Sequence, residues 1–349
     1  MREFTYKSRD GNVEVLINAN HGDALEKISG KYTGCVAFVS RSIANRVKVK
    51  CPPVVPIIDG EEGKSIETAL SIVRNAHEIG IDRDGLFIGV GGGSVLDVVG
   101  FSASIYLRGV DYVNVPTTML SMVDASLGGK TGVNALGLKN VIGVIRQPRY
   151  IIIDLSFLES LPMPSYIDGF AEVIKYGITM DRELLSQVMN NPDKLLGRDY
   201  EVLEEIIYRS LINKASIVEK DELDRGVIRA VLNYGHTVGH AIESVSNFSI
   251  SHGRAVALGM ICEARIGVKL GYTLRDVPGL LVDALTRFNL VNRVTIDANG
   301  LVNAMMRDKK RSGGFIKLPV VIDVGRWDLV RVRIEDLTKL VTEECRSTP

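Results

Sequence analysis

The sequence is poor in cysteine, with four residues in 349, and these four, Cys35, Cys51, Cys262 and Cys345, form no CxxC pair. That absence argues against a thiolate zinc site and a dense disulfide scaffold, so any bound metal must draw on histidine and carboxylate. Excess charge of either sign is missing as well. The 42 Lys+Arg balance 42 Asp+Glu, which leaves no basic field for a nucleic-acid backbone and no polybasic patch for a membrane surface. No apolar run approaches the ~18 residues of a bilayer span, and the opening MREFTYKSRDGNVEV is too polar for the core of a signal peptide. The expected location is the cytoplasm, with neither nucleic acid nor membrane as partner. What is present is 46% apolar residues, enough for a full core in one large or two medium domains.

Along the first half, short β-branched runs alternate with helical stretches. Strands are expected at Val36–Ser40, Leu86–Val90, Tyr112–Val115 and Tyr150–Asp154, and helices at Ser65–Ile79 and Val95–Leu107. Such alternation predicts a parallel, doubly wound sheet of Rossmann-like type. Pro162 and Pro164 then punctuate the chain. The pattern turns to long helices near Asp168–Thr179, Glu201–Asp221, Arg229–Val245, Gly253–Leu270 and Val277–Phe288, with Phe315–Val324 as the one extended stretch. The expected architecture is α/β plus all-α, a doubly wound domain over residues 1–158 followed by a mostly helical one over residues 159–349. No internal repeat or low-complexity segment is present.

Polar, glycine-rich segments mark the first half. GGGSVLD, at 91–97, follows a predicted strand and opens a predicted helix, where bare backbone N–H groups and a helix N-terminus suit phosphate oxygens. Successive glycines lose much entropy on folding, which favours a nucleotide site over an ordinary tight turn. DGEEGK, at 59–64, offers carboxylates and a lysine to a ribose or a carboxamide, the alternative being a solvated turn. SMVDASLGGKTGVN, at 121–134, gathers Asp124, Gly128, Gly129, Lys130, Thr131 and Asn134 into a stretch with neither helical nor strand period. With Lys139 and Asn140 it forms one loop system, either suited to an anionic substrate or merely solvated.

In RAVLNYGHTVGH, at 229–240, Arg229, Asn233, His236 and His240 fall at i, i+4, i+7 and i+11, which places them on one face of a predicted helix. The intervening residues are largely apolar. So narrow a polar stripe fits a buried cleft better than a solvated face, and Gly235 and Gly239 allow another backbone to come close. Only five histidines occur, and His236, His240 and His252 lie close together in the chain. Two histidines and a carboxylate are a common zinc set that leaves a position open for water or substrate. Glu172, in the apolar helix FAEVIKYG with Lys175 one turn on, is the matching carboxylate. The alternative is a helix ion pair with satisfied core histidines. His21 and His77 read as surface residues.

GGGSVLD, VPTTM, SMVDASLGGKTGVN, the pair Lys139-Asn140, FAEVIKYG, NYGHTVGHAIE, SHGRAVALGM and RDKK follow one another over residues 91–310. In this combination, and from Asp59 onward, the chain resembles the 3-dehydroquinate synthase family. The resemblance implies an N-terminal NAD-binding α/β domain and a helical C-terminal domain with a catalytic divalent metal, zinc in the first place and cobalt as the alternative. It further implies a homodimer and an active site in the cleft between the domains. The implied metal ligands are Glu172, His236 and His252. The implied NAD contacts are Asp59, Gly60, Glu61, Glu62, Gly63, Lys64, Gly93, Ser94, Val95, Leu96, Asp97, Thr117, Thr118, Lys130, Lys139, Phe157, Leu158, Glu159 and Ser160. Arg108, Asp124, Lys130, Asn140, Lys175, Lys214, Arg229, Asn233 and His240 match substrate-pocket positions, with one lysine of Lys309–Lys310, taken as Lys310, completing the set. Arg108 would serve the neighbouring subunit's site.

The implied reaction converts a sugar phosphate, 3-deoxy-D-arabino-heptulosonate 7-phosphate, to 3-dehydroquinate and phosphate, a step of the shikimate pathway toward aromatic amino acids. It runs by oxidation, phosphate elimination, reduction and aldol closure, with NAD regenerated each turnover. Arg229, with Lys214 and Lys175, would bind the substrate carboxylate; Lys130, Asn140, His240, Arg108 and the late lysine would bind the phosphate.

Two departures from the family pattern stand out. Val39-Ser40-Arg41-Ser42 occupies the place where an acidic residue usually grips the adenosine ribose, and Arg41 has the chemistry to meet a 2′-phosphate; NAD is still the expected cofactor. Residues 221–229 run one residue longer than the pattern, with Asp224 where a glutamate is usual. Rival readings are a metal- and NAD(P)-dependent polyol dehydrogenase, opposed by GGKTGVN and by Arg229 and Asn233, and a sugar-phosphate cyclase whose product lacks a carboxylate, opposed by the cost of an uncompensated buried guanidinium at Arg229. A non-catalytic NAD-binding relative is opposed by the retention of the metal and substrate positions.

Overall fold

The computed structural model describes residues 1–47, 49, 53–291, 297–308 and 314–345. The chain divides into two units, Met1–Leu161 with Leu203–Leu223, and Pro162–Val202 with Asp224–Pro349. The second begins at the prolines that punctuate the sequence. The return of Leu203–Leu223 to the first unit is a long-range event that a linear reading does not contain.

The first unit carries, in chain order, β1 (Arg2–Ser8), β2 (Gly11–Ile17), α1 (His21–Ser29), β3 (Cys35–Ser40), β4 (Val54–Ile57), α2 (Gly60–Gly63), α3 (Ile66–Ile79), β5 (Leu86–Gly91), α4 (Gly93–Ile105), β6 (Asp111–Pro116), β7 (Lys130–Ala135), β8 (Leu138–Ile145), β9 (Tyr150–Ile153) and α5 (Ser156–Glu159). Its main sheet has the order β1-β2-β9-β6-β5-β3-β4. β1 and β2 are antiparallel and every other pairing is parallel. Alternate residues of the central strands enter different clusters: Phe38 and Phe87 pack with Ala69, Ile72 and Val98, whereas Val39, Ile88 and Val90 pack with Leu25 and Ile28. With helices on both faces, β3 and β5 read as continuous apolar runs. Helix α3 begins where the Ser65 hydroxyl accepts the Thr68 N–H at 3.2 Å and ends at Gly80 in the left-handed region.

The stretch 121–134, expected as a loop without period, is instead a single π-type turn at Ser121–Ala125 followed by β7, which pairs with β8 in an antiparallel hairpin. His21 is a second correction. It is 8% exposed rather than a surface residue, because it starts α1 beside the end of β9. Its Nδ1 lies 2.7 Å from Asp154 Oδ2, which also accepts the His21 backbone N–H at 3.0 Å. Asp154 Oδ1 accepts the Ser156 N–H and hydroxyl at 3.0 and 2.6 Å, and the imidazole lies against Phe157. Burial by itself would raise the Asp154 carboxyl, but the bonds from His21 and Ser156 hold it down at about 2.

The second unit contributes α6 (Met163–Asp168), α7 (Phe170–Thr179), α8 (Arg182–Asn190), α9 (Pro192–Leu196), the start of α10 (Tyr200–Lys220), α11 (His236–Val245), α12 (His252–Lys269), α13 (Val277–Thr286), α14 (Ala298–Asp308), β10 (Phe315–Asp323), β11 (Arg326–Arg333) and α15 (Ile334–Glu344). Its core joins Ile242, Leu258 and Ile266 to Leu318, Val332, Leu337 and Val341, so the β10–β11 hairpin and α15 are built onto α11 and α12. The extended stretch at Phe315–Val324 is therefore half of a hairpin. Cys262 and Cys345, 83 positions apart, form a disulfide that fastens the end of α15 to α12. Among the described residues, no helix is long and apolar enough to cross a membrane.

The helix expected over Arg229–Val245 is broken. Ile228–Asn233 is a 3-10 turn, Tyr234 is extended, Gly235 is left-handed at φ +80°, and α11 starts only at His236. Arg229 and Asn233 thus do not share a helix face with His236 and His240, and the four-residue stripe is withdrawn.

Asp154→Asn is expected to cost about 1–3 kcal/mol at neutral pH, since it removes the charged acceptor of a buried network. The sign of the pH dependence follows from a carboxyl held at about 2 in the fold against about 3.9 unfolded. Its contribution is complete above the unfolded value and is lost as pH falls through the folded one. Urea unfolding of parent and variant should therefore converge between about pH 5 and about pH 2; a gap independent of pH would refute the assignment.

Candidate active site

In the second unit the residues that converge are Glu172, His236 and His252, whose ligand atoms lie within 4.8 Å of one another. Glu172 comes from α7, every residue of which is buried. His236 Nε2 stands 3.3 Å and His252 Nε2 3.8 Å from Glu172 Oε1, and Lys175 Nζ pairs with Oε2. Neither Glu172 oxygen has a hydrogen bond of good geometry, so the carboxylate is held by charge. Desolvation would raise its carboxyl, but Lys175 and then His236 reverse this and keep it well below the ordinary carboxylate range. Burial would lower His252, and the Glu172 and Glu243 carboxylates instead hold its imidazolium up to about 10. One buried carboxylate oxygen and two imidazole nitrogens from half-buried histidines, mutually close, fit a divalent ion of the zinc or cobalt kind.

Three elements are locked together to achieve this. Asp168, the last residue of α6 and four before Glu172, accepts from the Ser251 hydroxyl at 2.5 Å and from the Arg254 N–H at 3.3 Å, which ties the start of α12 to the start of α7. Glu263, buried on α12, accepts the N–H groups of Gly235 and Val238 at 2.8 and 3.1 Å and so caps α11 just where His236 begins it. The α11–α12 crossing is too close for side chains. A Cβ on Gly259 would stand 2.0 Å from the Gly235 carbonyl oxygen, and one on Gly239 would stand 3.1 Å from that of Ala255. The expectation that Gly235 and Gly239 admit a second backbone is met. Asp168, Glu243 and Glu263 are the residues that sequence reasoning missed. Glu243 and Glu263 carried the same signal as Glu172, a carboxylate inside an apolar helix.

Of the other second-unit positions, Lys175 is buried and donates to the Leu232 carbonyl at 2.7 Å as well as pairing with Glu172. Arg229 is buried, whereas Asn233 and His240 are exposed, with the His240 ring 5.2 Å from that of His236. Lys310 lies outside the described residues.

In the first unit, α4 starts without a side-chain cap at Gly92, leaving its first N–H groups available to an anion. Gly91 is the tightest of these glycines: a Cβ there would meet Val95 at 2.7 Å, whereas one on Gly92 would meet Thr118 and one on Gly93 would meet Ala125 at 3.3 Å. Thr117 donates its N–H to Gly91. Lys64, buried beyond α2, pairs with Asp97 of α4 at 2.5 Å. Desolvation nonetheless raises Asp97 to about 6 against the pull of Lys64. Asn134 connects the segments: its Nδ2 donates to Glu61 Oε2 at 2.6 Å, its N–H donates to the Lys64 carbonyl at 2.8 Å, and its Oδ1 accepts the Asn140 N–H at 2.9 Å.

Asp59 occupies the tip of β3. It accepts from the Ser40 hydroxyl and, at 2.9 Å, from the Ser42 N–H, so a carboxylate from beyond β4 stands where the β3 sequence has none. Asp124 in the π-type turn receives Lys214 Nζ at 2.8 Å on its carboxylate and 2.7 Å on its carbonyl. Lys130, Lys139 and Asn140 are exposed on the β7–β8 hairpin. Of the Phe157–Ser160 stretch, Leu158 is buried and Glu159 and Ser160 are exposed. Arg108 is exposed at φ +69°, directly after Leu107 at φ +49°.

Residues 54–168 match the family described as 3-dehydroquinate synthase N-terminal, and residues 169–311 the one described as 3-dehydroquinate synthase C-terminal. The 3-dehydroquinate synthase of Sulfurisphaera tokodaii is 43% identical over 344 residues, 96% of this chain and 97% of that relative. That of Saccharolobus solfataricus is 41% identical over 352 residues, 99% of each chain. A solved 2-deoxy-scyllo-inosose synthase complexed with carbaglucose-6-phosphate, NAD+ and Co2+ superposes with a TM-score of 0.88 at 21% identity, covering 98% of this chain and 100% of that one. The 2-epi-5-epi-valiolone synthase from Streptomyces hygroscopicus, with NAD+ and Zn2+ bound, gives 0.83 at 21% identity over 99% and 98%. At that identity the two structures establish the fold, an α/β domain followed by a mostly helical one, as the sequence pattern predicted.

Gly259→Ala should be among the most damaging small substitutions, because the added Cβ would stand 2.0 Å from a backbone oxygen. An overpacking cost of about 1–3 kcal/mol or more is expected, together with a disturbed fit for any divalent ion, since the crossing sets the spacing of His236 and His252. Thermal unfolding and a zinc titration check this, and a variant unchanged in both would contradict the packing argument.

Proposed function

Because the chain belongs to the 3-dehydroquinate synthase family of carbon–oxygen lyases, we propose that it converts 3-deoxy-D-arabino-heptulosonate 7-phosphate to 3-dehydroquinate and phosphate, with NAD and a divalent metal, zinc or cobalt. The observation that carries this reading is the fully buried Glu172 carboxylate faced by the Nε2 atoms of His236 and His252. These three residues would hold the ion. Bound there, a divalent ion would supply Lewis-acid chemistry to a substrate hydroxyl, and NAD would supply a reversible hydride acceptor.

The chain's own residues bind and orient. The open N-terminus of α4 suits the dinucleotide pyrophosphate. Asp59 at the β3 tip suits the hydroxyls of a ribose and repels a 2′-phosphate, which favours NAD over NADP despite Arg41. Lys64 and Asp97, with Glu61 and Asn134, form a polar cluster beside that helix start, and Thr117, Thr118 and Phe157–Ser160 complete the NAD contacts. The Arg229 guanidinium suits the substrate carboxylate, and Lys175 and Lys214, each fixed in its own unit by Glu172 or by Asp124, are assigned to it as well. Lys130, Asn140, His240 and Arg108 are assigned to the phosphate, and Lys310 joins them on the resemblance alone.

The protein is further proposed to be a cytoplasmic homodimer. Leu136, Leu138, Val141 and Ile142 leave an apolar surface on the β7–β8 hairpin. Leu107 and Arg108, both left-handed, display Arg108 at a cost that a second subunit's substrate would justify.

The test is an assay with the heptulosonate phosphate and catalytic NAD. Phosphate and dehydroquinate should appear in equal amounts with no net NADH, and chelation should abolish both. Stoichiometric NADH without phosphate would identify a polyol dehydrogenase instead. His252→Ala should lose zinc and turnover while binding NAD nearly as the parent does; a fully active, metal-free variant would sink the site. Light scattering should give the mass of a dimer, reduced toward the monomer by Val141→Asp, and a monomeric parent would refute the dimer.

A further inference from the structure

Both histidines assigned to the metal present Nε2 to Glu172 and turn Nδ1 toward a second acceptor. For His236 that acceptor is the Tyr234 carbonyl oxygen at 3.2 Å; for His252 it is Glu243 Oε2 at 3.5 Å. Glu243 is 8% exposed and lies on α11 at i+7 from His236, on the same helix face. Helix α11 thus carries one ligand for the ion and a partner for the ligand that α12 supplies.

Resting on the metal reading of Glu172, His236 and His252, we propose that Glu243 is a positioning residue of the metal centre. Its carboxylate accepts the His252 Nδ1–H and so fixes the tautomer in which the Nε2 lone pair is free for the ion. A neutral imidazole carries one N–H, and the group that takes that hydrogen decides which nitrogen can ligate. A carboxylate does more than a carbonyl. It draws the proton and raises the basicity of the opposite nitrogen, which makes His252 the stronger donor of the pair.

A competing arrangement exists. Ligand atoms of His240, Glu243 and His252 also lie within 4.8 Å of one another, so Glu243 could itself be a ligand. Two features decide against this. Glu172 has no exposed surface while His240 is exposed, and a fully buried carboxylate requires the cation more than a partly solvated set does. The sets also share His252, and with its Nε2 directed at Glu172, Glu243 is left with the N–H side.

The experiment is a Zn2+ titration of the full-length, chelator-stripped protein against a chromophoric competitor, for the parent, Glu243→Gln and Glu243→Asp. One equivalent should bind to each. Glu243→Gln should weaken binding about 10–100-fold, and Glu243→Asp should recover part of that loss. Affinity in Glu243→Gln within about two-fold of the parent would overturn the proposal, as would two equivalents in the parent and one in the variant, which would make Glu243 a ligand. A parent that takes up no Zn2+ would overturn the metal reading as well; tight parent binding untouched by Glu243→Gln overturns this inference alone. Should the variants fail to fold, nitrogen-15 NMR of the Zn2+-loaded parent decides the matter. His252 must show an Nδ1-bound proton, and an Nε2-bound one would overturn the assignment.

Discussion

A carboxylate with no exposed surface has to be met by positive charge or donors, and Glu172 is such a carboxylate. Much of the second unit can be traced to that requirement. Lys175 one turn away and two imidazoles from separate helices surround it, and each of those groups is in turn held. Lys175 is anchored on the Leu232 carbonyl, His236 on that of Tyr234, and His252 beside Glu243. Asp168 and Glu263 add backbone anchors at the two helix starts that carry the histidines. A ring of carboxylates thus positions a site whose own charge would be costly without a cation.

The same economy shows in the first unit. The glycine turn, the 59–64 segment and the β7–β8 hairpin are joined by shared polar contacts. Asn134 ties the hairpin to Glu61 and Lys64, and Lys64 ties that segment to Asp97 on the helix that follows the glycines. Backbone N–H groups remain open at the start of α4 because Gly92 contributes no side chain. Placing such groups on strand ends and helix starts holds them rigid.

The sequence was most legible where an element buries a regular face. Strands β3, β5, β6 and β9 and helices α3, α10, α12 and α13 lie within a few residues of their expected bounds, because local periodicity reports burial directly. It failed at residues 229–240. The i, i+4, i+7 pattern there is real, but Gly235 adopts φ +80° and ends one helical turn before the next begins, and periodicity does not register a change of backbone hand. The β7–β8 hairpin escaped notice because glycine-rich strands with one solvated side have no strong period. His21 looked like a surface residue because its partner, Asp154, lies 133 positions away.

By itself, the sequence determined which chemistry was available: two histidines and a glutamate for a divalent ion, glycines before a helix for a phosphate, arginine and lysines for anions, and the order of motifs that places the chain in its family. Those are properties of residue type and local spacing, which survive without coordinates. Only the tertiary structure decided which carboxylates stand beside His236 and His252, that Asp59 brings a carboxylate to the β3 tip, that Leu203–Leu223 brings Lys214 to Asp124, and that Cys262 meets Cys345. Each of these joins groups far apart in the chain. Their proximity is set by how the cores pack, and no local pattern records the energy of that closure.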